Sequence, residues 1–315
     1  MLLWIQERGG LMRGWLVAVL YVLCAVVSNA EVKQFPGGKE LPHEKYIHVV
    51  SESQSPVQQV YIKTKDGLYV AVAMRKPAGN GPFPALIHFH GAPGGRGMEK
   101  LVTWSRGDTG SPVFERFLQE GYVTVVADYR GGPGSLRPPL SEDPNAVTYA
   151  DDAVAVLEAV RKLPYVDPER VNVYGVSLGG DVVMHLISRV KVRAAVLGAP
   201  APIRYLAVQP NPNAPPAERF KGAAVDSEKV QQKMASIQAP ILILVGTADG
   251  LIHLDRALHD ELEKAGKTVR MEVYENGYHD FCIGPQGHEG RKEPLMDSTL
   301  AALENTLRFL KDAGN

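Results

Sequence analysis

Three side chains with complementary acid–base chemistry stand far apart in this sequence, in the order Ser177, Asp249, His279. A serine hydroxyl is a weak nucleophile at neutral pH, so attack on a carbonyl carbon needs an imidazole to take its proton and later give one to the leaving group. A carboxylate against the ring fixes its tautomer and stabilises the imidazolium. Ser177, His279 and Asp249 fit these roles in turn. Asp280 is the rival acid, but a sequence neighbour on a tight loop is poorly placed to face the same ring, and Asp249 ranks first. Read blandly, Asp249 before Gly250 is a turn residue and His279 a surface histidine.

Ser177 lies in Gly175-Val176-Ser177-Leu178-Gly179-Gly180, after an apolar run from Val171 and before an amphipathic stretch, Asp181 to Val190. This reads as a strand, a tight turn and a helix. Glycines lacking a Cβ let the chain turn sharply and hold the serine Oγ above the sheet edge, where the helix N-terminus favours negative charge. The oxyanion formed on attack needs two backbone N–H donors. Leu178, after the nucleophile, supplies one, and Ala92 in the loop His90-Gly91-Ala92-Pro93-Gly94-Gly95 is the expected second.

No cofactor is expected. His88 and His90 share one face of a strand, but a metal site wants a third ligand at suitable spacing, so both read as structural. Gly131-Gly132-Pro133-Gly134 lacks the spacing of a dinucleotide fingerprint and reads as a turn at the rim of a site.

The elements that must position these groups alternate. Tyr61–Thr64 and Leu68–Ala73 around Asp66-Gly67 form a hairpin. Strands are expected at Ala85–His90, Tyr122–Ala127, Val171–Val176, Ala194–Leu197, Ile241–Val245 and Val269–Tyr274. Helices are expected at Val113–Glu120, Ala146–Leu163, after Ser177, at Leu254–Ala265 and at Ser298–Leu310. Such alternation implies an α/β domain with a mostly parallel, doubly wound sheet and helices on both faces. Functional residues then gather beyond the carboxyl ends of the strands, where Ser177, Asp249 and His279 fall. Their order is that of the α/β-hydrolase fold.

The chain has 315 residues, 45% hydrophobic and 22% charged, with a formal net charge of -1. That balance provides no field for nucleic acid or anionic lipid. Residues 1–30 carry Met12-Arg13, the apolar run Trp15–Val27 and Ser28-Asn29-Ala30, the parts of an export signal peptide, with a retained anchor as the alternative. The apolar run is short for a membrane span. Its removal leaves Cys282 as the one cysteine, so no intramolecular disulfide is expected in a secreted or periplasmic chain. Residues 31–57 read as an irregular lead segment with an edge strand near Tyr46–Val50, and 58–315 as the main domain. Within it Pro202–Ala239 is a candidate small cap, with Ile203, Tyr205, Leu206 and Phe220 available to line a substrate pocket.

His90-Gly91-Ala92-Pro93, Asp128-Tyr129-Arg130-Gly131, the run from Val166 through Gly180, Gly246–Ile252 and Gly277–Phe281 together resemble the catalytic domain of the prolyl oligopeptidase family, over residues 58 to 312. The resemblance implies an α/β-hydrolase fold, Ser177, Asp249 and His279 as a triad, Ala92 and Leu178 as oxyanion donors, and a short peptide as substrate. Ala92 stands where that family usually has glycine. The family's large members also screen substrates with a β-propeller, whose blades of roughly forty residues do not fit before residue 58. Carboxylesterase action on small acyl esters uses the same machinery, and a non-catalytic binding protein on this fold is the reading from a different class.

Overall fold

A computed structural model of the chain describes residues 33–35, 55–107, 113–132, 145–215, 218–284 and 296–313. Runs such as Val123–Ala127 and Ile241–Gly246 are buried at every position. Strands apolar on both faces must be covered on both, which favours a parallel sheet between helical layers.

The strands are β1 (Lys33–Phe35), β2 (Gln58–Lys63), β3 (Tyr69–Arg75), β4 (Phe83–Phe89), β5 (Val123–Ala127), β6 (Val166–Val176), β7 (Ala195–Gly198), β8 (Ile241–Gly246) and β9 (Val269–Tyr274). They form one sheet in the order β1-β9-β8-β7-β6-β4-β5-β3-β2. β2 and β3 pair antiparallel, β3 pairs antiparallel with β5, and the remaining pairs are parallel. The helices are α1 (Met98–Arg106), α2 (Val113–Gln119), α3 (Ala146–Arg161), α4 (Leu178–Ile187), α5 (Ser227–Met234), α6 (Ile252–Lys264) and α7 (Asp297–Asp312), with a 3-10 turn at Phe281–Ile283. α3, α4, α5 and α6 close one face over Val173, Leu197 and Ile243. α2 and α7 close the other over Tyr174, Val196 and Leu244, and α1 joins that layer near β3.

The α/β architecture read from the sequence is the one observed. The hairpin turn is held by Thr64, whose N–H and Oγ1 both reach the Leu68 carbonyl. One reading needs correction: the lead segment is not irregular throughout, because Lys33–Phe35 adds a parallel edge strand against Glu272–Tyr274. Too few residues are involved to leave a periodic signal. The edge strand expected at Tyr46–Val50 and the export signal at 1–30 lie outside the described residues. Among those described, no helix is long and apolar enough to cross a membrane.

Candidate active site

β6 delivers Ser177 on a turn too tight for side chains. A Cβ on Gly175 would lie 2.2 Å from the Gly179 carbonyl oxygen, and one on Gly179 would lie 1.9 Å from that of Phe89. Ser177 itself adopts φ 52°, ψ -121°. A non-glycine residue in such a conformation costs about 1–3 kcal/mol and is held by its surroundings. Here its N–H donates to the carbonyls of Gly198 and Ala199, each at 3.1 Å, and its own carbonyl accepts from Gly180 at 2.8 Å. Leu178 is the first residue of α4. Its N–H therefore belongs to the set that a helix cannot satisfy internally.

The loops after β8 and β9 bring Asp249 and His279 to this serine. His279 Nε2 is 2.8 Å from Ser177 Oγ, and His279 Nδ1 is 2.8 Å from Asp249 Oδ2. The other Asp249 oxygen accepts the Leu251 N–H at 2.8 Å, so the carboxylate is fixed from its own loop. The Asp249 side chain is 2% exposed and that of His279 34%, leaving the imidazole edge open above the serine. Burial draws the His279 pKa down, but the bond to Asp249 and its charge outweigh burial and raise it above 6.5. Asp280 contributes a weaker pull from beside the ring.

Asp255, on α6, is a fully buried carboxyl that sequence reasoning passed over. Burial, and then the charge of Asp249, push its pKa well above 3.8. A protonated Asp255 adds no second negative charge beside the His279–Asp249 pair. Nothing in its sequence setting, the first turn of an amphipathic helix, distinguished it.

The loop after β4 lies against Ser177: a Cβ on Gly91 would be 3.1 Å from Ser177 Cβ and 3.7 Å from its Oγ. Asp128, one residue past β5, ties that loop down. Its Oδ1 accepts the Arg96 N–H at 2.8 Å and lies 3.1 Å from His90 Nε2, while Oδ2 accepts the Gly97 N–H at 2.8 Å. Tyr129 Oη donates to the His90 carbonyl at 2.8 Å, and Arg96 Nη2 donates to that of Ala92 at 2.5 Å. Ala92 is thus gripped from behind at an exposed turn. Arg130 completes the segment with a buried pair to Asp152 at 2.8 Å and an outer one to Asp66 at 2.7 Å. The motif Asp128–Gly131 was visible in the sequence, but its task as an anchor for a loop more than thirty residues away was not. His88 sits between the rings of Phe114 and Tyr174, and burial, then His90, push its pKa down to about 3, so it is neutral.

Tyr205 corrects the expected pocket. It is 0% exposed, lies within the main core, edge-on to His185, and shares a 2.8 Å hydrogen bond with Ser188 on the far end of α4. Leu206 is likewise 0% exposed. Asp181 explains this: its two oxygens accept the N–H groups of Arg204 and Tyr205 at 2.9 and 2.8 Å, pinning the segment onto α4. Burial pushes the Asp181 pKa up to about 7. Tyr205 and Leu206, expected to line a pocket, fold inward instead. Phe220 is part-buried against the same core, and its carbonyl lies 3.0 Å from His253 Nε2.

The family model for dienelactone hydrolases matches residues 106–313. An uncharacterized peptidase of Bacillus subtilis is 24% identical over 288 residues, covering 82% of this chain and 40% of the relative. The acylaminoacyl peptidase of Pyrococcus horikoshii superposes with a TM-score of 0.59 at 18% identity, over 84% of this chain and 42% of that one. Thermogutta terrifontis esterase 2, phosphorylated by paraoxon, superposes with a TM-score of 0.57 at 19% identity, over 82% of this chain and 94% of that one. The chain spans 40% and 30% of the lengths of the first two curated relatives it matches. At such identities the structural likeness speaks for the fold, and the family match for membership. Carrying an α/β-hydrolase domain like that of acylaminoacyl peptidases, the chain belongs to the dienelactone hydrolase family.

Proposed function

We propose that this protein is a serine hydrolase working through an acyl-enzyme, with short peptides as the first-choice substrate. The observation that carries the reading is the unbroken line of 2.8 Å contacts from Asp249 through His279 to Ser177. Ser177 Oγ attacks the substrate carbonyl as His279 Nε2 takes its proton. The alkoxide develops against the N–H groups of Leu178 and Ala92. His279 then protonates the leaving group, and a water activated by the same imidazole releases the acid. These steps need neither metal nor organic cofactor. The peptide reading is supported by the H-G-A-P and D-Y-R-G segments and by the relatives named as peptidases. A second reading, carboxylesterase on small acyl esters, is supported by the family match and by the esterase fold neighbour. Of the four side chains expected to line a pocket, Ile203 and Phe220 are the two that are only part-buried.

Fluorophosphonate labelling of the intact protein, lost in Ser177→Ala, tests the nucleophile. Release of amino acids or dipeptides from short peptides, against release of p-nitrophenol from acyl esters alone, separates the two substrates. Unlabelled Ser177 with no turnover of either would leave the binding-protein reading. We further propose that residues 1–30 direct export and are removed. Mass measurement of the protein recovered outside the cytoplasm checks this, and a chain still beginning at Met1 or Met12 contradicts it.

A further inference from the structure

Both nitrogens of the His90 ring face oxygen atoms. Nδ1 is 2.8 Å from the Gly91 carbonyl oxygen and Nε2 is 3.1 Å from Asp128 Oδ1. A carbonyl oxygen can only accept, and so can an ionised carboxylate. Asp128 is held in that ionised form by its partners. The N–H groups of Arg96 and Gly97 donate to its Oδ1 and Oδ2, each at 2.8 Å, so both oxygens act as acceptors. A neutral imidazole would turn a lone pair onto one of the two oxygens. An imidazolium donates to both.

We propose that His90 is a buried imidazolium, paired with Asp128, that polarises the peptide group supplying the second oxyanion donor. The Gly91 carbonyl that Nδ1 grips and the Ala92 N–H belong to the same peptide unit. A charged donor on that carbonyl draws electron density toward the oxygen and leaves the N–H a stronger donor, the cooperative effect of linked hydrogen bonds. The effect falls where it is useful, because Gly91 is the residue packed on Ser177. His90 would not touch the substrate, so it is a positioning residue.

The surroundings suit one positive charge and its counter-ion. The ring is 1% exposed, as is Asp128. The aromatic rings of Tyr129 and Trp104 lie 4.6 and 5.4 Å away, centroid to centroid. His88, two residues back on β4, is neutral at its pKa of about 3 and adds no competing charge. The other cation on the loop, Arg96, directs Nη2 to the Ala92 carbonyl, beyond the peptide unit in question. The carboxylate of Asp128 is the anion that balances the ring.

The charge is independent of the proposed reaction, while the polarising role rests on it, and two measurements separate them. In the intact protein labelled with 15N-histidine, the signals lost in His90→Gln should be those of a ring protonated at both nitrogens at neutral pH. A single protonated nitrogen overturns the proposal. In ester hydrolysis, His90→Gln and Asp128→Asn should each lower kcat by about tenfold or more with KM within about twofold, less than the loss of an oxyanion donor itself. A folded His90→Gln protein with unchanged kcat ends the polarising role. Should the variants fail to fold, the wild-type spectrum, assigned through Asp128 contacts, still decides the charge. Should wild type neither hydrolyse esters nor take a fluorophosphonate at Ser177, the hydrolase reading falls and takes the polarising role with it, and the spectrum alone rules on the ring.

Discussion

The backbone of Gly246 abuts that of Gly277 so closely that a Cβ at position 246 would lie 2.0 Å from the Gly277 carbonyl oxygen. That same oxygen accepts the Ala248 N–H at 3.0 Å. The acid loop and the histidine loop are therefore in direct backbone contact, and their separation sets the Asp249–His279 bond. Gly246→Ala should push them apart. We expect kcat to fall by about a hundredfold, since a misplacement near 1 Å has that effect, and stability by about 1–3 kcal/mol from overpacking. Steady-state kinetics and urea unfolding measure the two. An alanine variant with wild-type kcat would show that the loops are not coupled.

Loss of the nucleophile should remove nearly all turnover. Ser177→Ala is expected to lower kcat by roughly a millionfold and Asp249→Asn by roughly ten-thousandfold, the second because the ring loses the partner that fixes its tautomer. Active-site titration with a fluorophosphonate distinguishes true residual activity from contamination.

The raised pKa of His279 gives activity and stability opposite pH trends. Only the neutral ring accepts the serine proton, so kcat/KM should fall as pH drops through a value above 6.5. Folding favours the protonated ring, so the stabilisation from its bond to Asp249 is fully present below the unfolded-state value and is lost as pH rises through the folded one. Asp249→Asn should shift the activity limb to lower pH and flatten the stability slope. A limb that stays in place in that variant would assign it to another group.

Asp181 predicts a second slope. Its pKa is raised from 3.8 to about 7, so the folded protein holds a proton that the unfolded chain releases in between, and stability falls as pH rises across that window. Urea unfolding from pH 4 to 8 should show this fall in wild type and a smaller one in Asp181→Asn.

Tyr205→Phe tests the inward placement of the 202–208 segment. Removing the hydroxyl that meets Ser188 should cost about 1 kcal/mol of stability with KM unchanged. A raised KM would return Tyr205 to the substrate pocket.

The parts of this structure that the chain announces are those with a strong local cause. β8 and the buried half of β6, Val171–Val176, were legible because buried parallel strands are largely apolar and lead into glycine-bearing turns, whereas the polar start of β6, Val166–Arg170, left no strand signal. The Ser177 elbow was legible because three glycines occupy places where a Cβ cannot go. β1 was not, being three residues long and paired through its backbone. α1 was missed because Met98–Arg106 mixes charged and apolar residues after a glycine-rich loop. Asp128, Asp181 and Asp255 carry nothing in their neighbourhoods that reveals what they meet, since each acts on backbone or side chains brought close by folding alone. The pocket reading of Tyr205 and Leu206 failed for a related reason: composition reports how much of a segment is polar, not which side chains turn inward.

His279 comes from the loop after β9, the last strand among the described residues, and reaches back across β8 and β7 to Ser177 at the end of β6. A nascent polypeptide folded only through β8 would present its strained hydroxyl with no proton acceptor. In the proposed reaction, turnover therefore waits for the segment that follows β8 to fold.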